Sequence, residues 1–196
     1  MGELNPKVIV DLGVDYGFSS FTWAREGVGT VYGVDSFEGD PEAGFRDTFD
    51  LVQSQAEKLN LTNLRLIKGY FSDVAATWTD PIDILHIDGR HRYEDVKEDY
   101  ANWSKFVRAG GVILLHDTSE FREPFGVHRL FAEIDLPKCA FTHSAGLGVV
   151  STDAALIRRI RSRYHLWLTT QKGWHMLARI GRRLKKMIVG PPKFDF

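Results

Sequence analysis

Two strand-like runs in the middle of the chain end in the residue types that proton transfer and metal binding need. Ile82-Asp83-Ile84-Leu85-His86-Ile87 runs into Asp88, with His91 three residues on, and Val112-Ile113-Leu114-Leu115 runs into His116-Asp117. Carboxylates grouped in this way can hold a hydroxyl or a divalent cation, and a histidine can accept a proton near neutral pH. His91 is the first candidate for that base. His143, at the turn of a later hairpin, is the second.

These groups meet only if the two runs are parallel neighbours in one sheet. Both are β-branched or Leu-rich, as strands buried on both faces are, and a right-handed crossover carries their C-terminal ends to the same edge. Between them Tyr93, Val96, Tyr100, Trp103 and Val107 recur at spacings of three and four, which predicts a helix stopped by Gly110-Gly111. Upstream, Lys7 to Leu12 and Thr30 to Val34 read as strands, with a helix from Phe18 to Glu26 between them. Phe45, Phe49, Val52, Ala56 and Leu59 share a helical stripe, Leu64 to Lys68 is a third strand, and a short helix follows near Asp73 to Trp78. Downstream, a helix is expected from Phe125 to Ile134. Lys138 to His143 and Leu147 to Ser151 then form a hairpin, because Ser144-Ala145-Gly146 is too short for anything but an antiparallel return. The pattern predicts an α/β fold: a Rossmann-like, mostly parallel seven-stranded sheet with the last strand antiparallel and helices on both faces.

Composition narrows the class. A chain of 196 residues with 43% hydrophobic content fills about one globular core. Cys139, the single cysteine, excludes an intrachain disulfide framework and suits a reducing compartment. No apolar run approaches the roughly 18 residues of a spanning helix. With no signal peptide read at Met1 to Pro6, the expected location is the cytoplasm. The net charge of -1 conceals a division: residues 1 to 154 carry 14 Lys+Arg against 25 Asp+Glu, and residues 155 to 196 carry 11 against 1.

The first turn reads Asp11-Leu12-Gly13-Val14-Asp15-Tyr16-Gly17, a Gly-rich passage from strand to helix, and Asp35 closes the second strand. Glycine allows close approach of a ligand to the backbone, and Asp35 can accept hydrogen bonds from ribose hydroxyls, which suits an adenosine-containing cofactor. Asp11 and Asp15 would repel a pyrophosphate. They would attract a cationic ligand.

Val10-Asp11-Leu12-Gly13 with Gly17, Gly33-Val34-Asp35, Ile87-Asp88-Gly89-x-His91-x-Tyr93 and Gly110-Gly111-Val112-x-x-x-His116-Asp117-Thr118 resemble a class I S-adenosylmethionine-dependent methyltransferase. The subgroup they look most like is the small bacterial O-methyltransferases of sugars, macrolide sugars and polysaccharide or glycolipid intermediates. The resemblance covers roughly Lys7 to Ser151 and implies the strand order 3-2-1-4-5-7-6. It implies that Asp11, Gly13 and Gly17 surround the methionine part of the cofactor, that Asp35 holds the ribose and that Gly69 to Asp73 border the adenine. Asp15, Ser19, Ser36, Phe71, Ser72 and Asp88 complete the expected cofactor lining. Relatives that bind Mg²⁺ do so through acids at the positions of Asp88, His116 and Asp117. Imidazole at His116 suits Mn²⁺ or softer ions better than Mg²⁺. The implied acceptor is a glycan, a glycolipid or a small molecule. A non-catalytic binding or scaffold module is the competing reading, and a small phenol or amine is a further acceptor class.

Residues 1–152 are expected to form the methyltransferase domain and residues 153–196 a basic helical tail. In that tail Leu156, Ile160, Tyr164 and Trp167 form one stripe and Leu177, Ile180, Leu184 and Met187 another, with Thr152 or Asp153 as the first helix's cap. Such helices, with Trp167 and Trp174, suit the inner face of an anionic membrane. Packing on the acidic body, on a second copy in a homo-oligomer, or on a glycosyltransferase partner competes with that reading, and nucleic acid ranks below them.

Overall fold

All six residues from Ile82 to Ile87 are buried, as a strand covered on both faces requires, and the remaining elements are arranged about this one. The structure is a computed structural model, and it describes residues 5–166 apart from 28 and 41–43. Strand β1 (Val8–Leu12) leads into α1 (Phe18–Arg25) and β2 (Thr30–Asp35). A two-residue hairpin, Gly39–Asp40 against Gly44–Phe45, precedes α2 (Phe49–Lys58) and β3 (Leu64–Lys68). Helix α3 (Phe71–Thr77), β4 (Ile82–Ile87), α4 (Tyr93–Trp103) and β5 (Val107–His116) follow. Helix α5 (Val127–Glu133), β6 (Lys138–Phe141), β7 (Leu147–Ser151) and α6 (Ala154–Arg163) complete the described chain.

The sheet runs β3-β2-β1-β4-β5-β7-β6, as expected, with β7 antiparallel to both of its neighbours. One face, with Leu12, Leu85, Ile87 and Leu115, is covered by Val96 and Trp103 of α4 and by Leu130 and Phe131 of α5. The other, with Ile9, Val31, Ile84, Val112 and Val149, is covered by Ala24 of α1 and by Leu156 and Ile157 of α6. Asp83 is the polar member of β4 at the edge opposite the tips. It accepts the Lys7 and Val8 amides at 2.8 and 2.9 Å and pairs with Arg108.

Three boundaries differ from the sequence expectation. Phe45 belongs to the short hairpin rather than to α2, and it is 77% exposed. Gly44, with φ at +88°, cannot continue a helix there. Helix α4 ends at Trp103, whose buried indole donates to the Phe71 carbonyl at 3.2 Å, so Gly110-Gly111 does not stop it. Val107 instead pairs with Ile82 in β5, and the glycines lie in an irregularity of register before Val112 meets Ile84. The helical spacing of Val107 is therefore a coincidence of period. Phe125 stays outside α5, where it bridges to Arg92.

Helix α6 is capped by Asp153, whose carboxylate accepts the Ala155 and Leu156 amides at 2.8 and 3.0 Å. Its apolar side is buried on the sheet, while Arg158, Arg159 and Arg163 face solvent. Trp167, Trp174 and the second predicted stripe, residues 177 to 187, lie outside the described residues. Among the described residues no helix is long and apolar enough to cross a membrane.

Helix α4 carries one half-buried acid, Asp99, toward the β4 tip. Burial, reinforced by Asp95 and Glu98, pushes the Asp99 carboxyl up to about 7. Because its folded value is raised, the stability it permits is complete below the unfolded value near pH 3.9 and is lost as pH rises through about 7. Urea unfolding of Asp99→Asn should show a gain on the order of 2–4 kcal/mol over wild type at pH 8 that shrinks to near zero at pH 4. A gain independent of pH would contradict this reading of Asp99.

Candidate active site

The loops after β1 and β4 touch backbone to backbone. A Cβ on Gly13, where φ is +99°, would stand 2.1 Å from the Asp88 carbonyl oxygen, so only glycine fits. The Gly13 amide donates to the Val34 carbonyl at 3.0 Å, tying in the end of β2 as well. Asp35 continues this ordering: one carboxylate oxygen accepts the Asp15 amide at 2.9 Å and the other the Phe37 amide at 2.8 Å. Each oxygen keeps a further lone pair, so the half-buried carboxylate can still receive ribose hydroxyls. Gly69 donates its amide to the Asp35 carbonyl at 2.8 Å, and the Phe71 ring fills the space where a Gly89 side chain would stand. The Phe71 ring, at the start of α3, thus packs against the loop after β4.

Several residues expected along the cofactor are committed elsewhere. Asp11 is fully buried: its Oδ1 lies 2.7 Å from His86 Nδ1, and its Oδ2 accepts the hydroxyls of Ser19 and Ser20. Asp11 and Ser19 therefore shape the loop from beneath rather than line its open side. Asp15, half exposed, pairs with Arg46 at 2.6 Å, and the guanidinium lies over the Tyr16 ring. Ser36 receives the Glu38 amide at 3.3 Å, Gly17 caps α1 with φ at +89°, and Ser72 is exposed in the first turn of α3.

At the other side of the edge, Asp88, His91, His116 and Asp117 converge. His91 Nε2 is 3.2 Å from Asp88 Oδ1 and 3.2 Å from Asp117 Oδ2. The Nδ1 of His116 is 3.1 Å from Asp88 Oδ1 and 2.8 Å from Asp117 Oδ1. The His91 ring stacks on Phe125 at 5.1 Å, and its carbonyl accepts the Gly126 amide, which fixes the loop. Burial alone would raise Asp88, but the imidazoles of His116 and His91 beside it hold it well below the usual carboxylate range. The carboxylates of Asp117 and Asp88 push His116 up to about 10 against the opposing effect of burial. Burial lowers His91, yet Asp88 and Asp117 outweigh it and raise the imidazole.

The donor set fits a divalent cation on a second observation. The buried Nδ1 of His116 has two carboxylate oxygens beside it but neither in line for a hydrogen bond. Donor atoms of Asp88, His91 and His116 lie within 4.8 Å of one another. A cation at their centre would satisfy lone pairs that hydrogen bonds leave unused.

A model of the family described as "Methyltransferase domain" matches residues 10–118, more than half of the chain. The chain belongs to this methyltransferase family. An uncharacterised protein of Sinorhizobium fredii, y4gI, is 34% identical over 157 residues, which span 75% of this chain and 17% of that protein's length. The solved O-methyltransferase of Bacillus cereus, crystallised with S-adenosylhomocysteine, matches at a TM-score of 0.58 and 20% identity, covering 76% of each chain. The O-methyltransferase TomG of Streptomyces achromogenes, solved with S-adenosylmethionine, matches at 0.55 and 17%, covering 76% of this chain and 75% of its own. At these identities the likeness is one of fold.

His143 stands apart from the four converging groups. It is exposed and stacks on Phe141, which in turn meets Tyr164. His86 was missed by sequence reasoning, although a signal exists: Asp11 and His86 each lie two residues before the residue at their loop contact, Gly13 and Asp88. They are register partners on adjacent strands. Arg46 and Phe125 had no comparable signal.

Removing Asp11 would leave His86 buried beside two unanswered hydroxyls. Asp11→Ala is expected to cost about 3–5 kcal/mol in urea unfolding, whereas Ser19→Ala should cost only about 1 kcal/mol. Equal effects for the two variants would show that the pair with His86 is not the anchor.

Proposed function

We propose that this domain is an S-adenosylmethionine-dependent O-methyltransferase acting on a sugar hydroxyl of a glycan, glycolipid or natural product. The observation that carries the reading is the meeting of Asp88, His91, His116 and Asp117 on the same sheet edge as the Gly13 loop and Asp35. That edge is where open α/β sheets bind their ligands. The ribose would lie on Asp35, the adenine against Phe71 and Gly89, and the sulfonium near the contact between Gly13 and Asp88. The net acidity of residues 1 to 154 favours a cationic methyl donor over a dinucleotide.

In the reaction, the acceptor oxygen attacks the methyl carbon in line with the departing sulfur. A C–O bond forms as the C–S bond breaks, leaving a neutral thioether and an ether. The hydroxyl proton passes to His91, whose ring is aimed by Phe125 and whose positive charge is then balanced by Asp88 and Asp117. A divalent ion held by Asp88, His116 and Asp117 would supply Lewis-acid polarisation of the acceptor hydroxyl. Positioning contributes much of the rate, because both reactants are held rather than collected from solution.

The catalytic unit is assigned to residues 1–152, and residues 153–196 to a basic extension whose first helix docks on the sheet. The solvent-facing Arg158, Arg159 and Arg163 support contact with an anionic surface, which would place a cytoplasmic enzyme at the inner face of a membrane beside its glycolipid acceptor.

Isothermal titration with S-adenosylmethionine, followed by methyl-transfer assays on a sugar panel, tests the reading. Wild type should bind the cofactor and methylate at least one sugar. His91→Ala should lose about 10²- to 10⁴-fold in kcat with cofactor affinity nearly unchanged. Wild-type protein that binds no cofactor would instead favour a non-catalytic module.

A further inference from the structure

We infer that an aromatic shelf on the β6–β7 hairpin and the end of α6 holds a second sugar unit, so that the acceptor is a glycan of at least two units rather than a free monosaccharide. The inference rests on the methyltransferase reading for the place of the reacting hydroxyl. Its side chains lie outside residues 10–118 of the family match. His116 at the end of β5 is the register partner of Leu147 on β7, and Leu147 is the register partner of Phe141 on β6. Opposed residues of an antiparallel pair carry their side chains on one face, so the three form a row across the sheet. Leu147 and Phe141 are only partly buried, packed with Ile160 of α6 and Leu166 beyond it. Two further rings extend the row. His143 lies nearly parallel to Phe141, with centroids 6.0 Å apart and planes at 25°, and Tyr164 meets Phe141 edge-on at 5.2 Å. His143 is exposed and Tyr164 is 54% exposed, so burial does not account for either ring.

The backbone fixes the shelf relative to the reacting edge. Two residues past Asp117, the Ser119 amide donates to the Ala145 carbonyl at 2.6 Å, and a Cβ on Gly146 would stand 2.3 Å from Ser119 Oγ. The hairpin tip is therefore locked to the loop that carries Asp117. Two strand spacings of about 4.8 Å place Phe141 roughly 10 Å from His116. One six-membered ring is too short to touch both, whereas the neighbouring unit of a glycan whose hydroxyl lies at His91 reaches the shelf. An exposed ring stacks on the C–H face of a pyranose, and the Tyr164 hydroxyl and the His143 ring nitrogens can exchange hydrogen bonds with its hydroxyls. Residues 136 to 152 contain no acid, which separates this surface from the acidic loops proposed for the cationic cofactor. Lys138, the one Lys or Arg among them, is spent on the Phe131 and Ala132 carbonyls.

The test titrates malto-, cello-, manno-, xylo- and chito-oligosaccharides of one to four units into the full chain by NMR, with S-adenosylmethionine affinity measured on the same samples. At least one series should bind more tightly at two units than at one and should shift the ring signals of His143 and Tyr164. His143→Ala and Tyr164→Ala, both at exposed positions, should each lower the two-unit to one-unit affinity ratio by about threefold to tenfold, the worth of one ring contact. Ring signals unmoved by every saccharide, a ratio unchanged in both variants, or rings shifted by catechol in place of any sugar would each overturn the inference. If the cofactor binds in those cases, the methyltransferase reading stands without the shelf. If a two-unit glycan shifts the rings while the cofactor fails to bind, the shelf stands as a glycan site and that reading fails.

Discussion

A buried carboxylate with a buried histidine is the constraint on which the site depends. Asp11 and His86 face each other on β1 and β4 at positions that would otherwise be apolar, and they are 0% and 6% exposed. Neither could be buried alone at tolerable cost, so the pair fixes each partner's side chain. Through Ser19 and Ser20 it also sets the start of α1, and hence the Gly13 loop. Two residues further along the same strands, Gly13 and Asp88 make their backbone contact. The cofactor side and the proton-transfer side of the edge therefore share one anchor.

From that anchor the polar chain continues outward. The His86 ring stands edge-on to His116 at 6.3 Å and to Trp23 of α1 at 6.3 Å, linking the interior to the exposed tips. Charge follows the same gradient. Asp11 is compensated inside by hydrogen bonds, Asp15 at the rim by Arg46, and Asp88 with Asp117 by two imidazoles. In the last group the neutralising imidazoles sit at the edge of the sheet, where a ligand could replace their charge.

The fold was legible where element type follows from period and punctuation. Alternating strands and helices fixed a parallel sheet, and the short turn at Ser144-Ala145-Gly146 fixed the antiparallel return. Legibility failed where one period served two structures. Val107 continued the stripe of Tyr93, Val96, Tyr100 and Trp103, but pairing with Ile82 is a long-range fact that no local window contains. For the site, strand ends were enough to bring together Asp88, His91, His116 and Asp117, because topology alone delivers them. The direction of a side chain was not legible. Asp11 turns inward to His86, Asp15 outward to Arg46, and His143 to Phe141, since each choice depends on a partner distant in sequence.

The basic end of the chain shows how far charge can be read without packing. Counted by composition, residues from 155 onward form a separate cationic tail. Yet Leu156 and Ile157 are 5% and 3% exposed on the face that β6 and β7 share with β1 and β4, so α6 is part of the apolar cover. Burying those two side chains is worth about 1.5–3 kcal/mol each, more than exposed arginines gain from the acidic body. The hydrophobic term therefore decides which side of α6 faces inward. The arginines are left on the solvent side as a consequence.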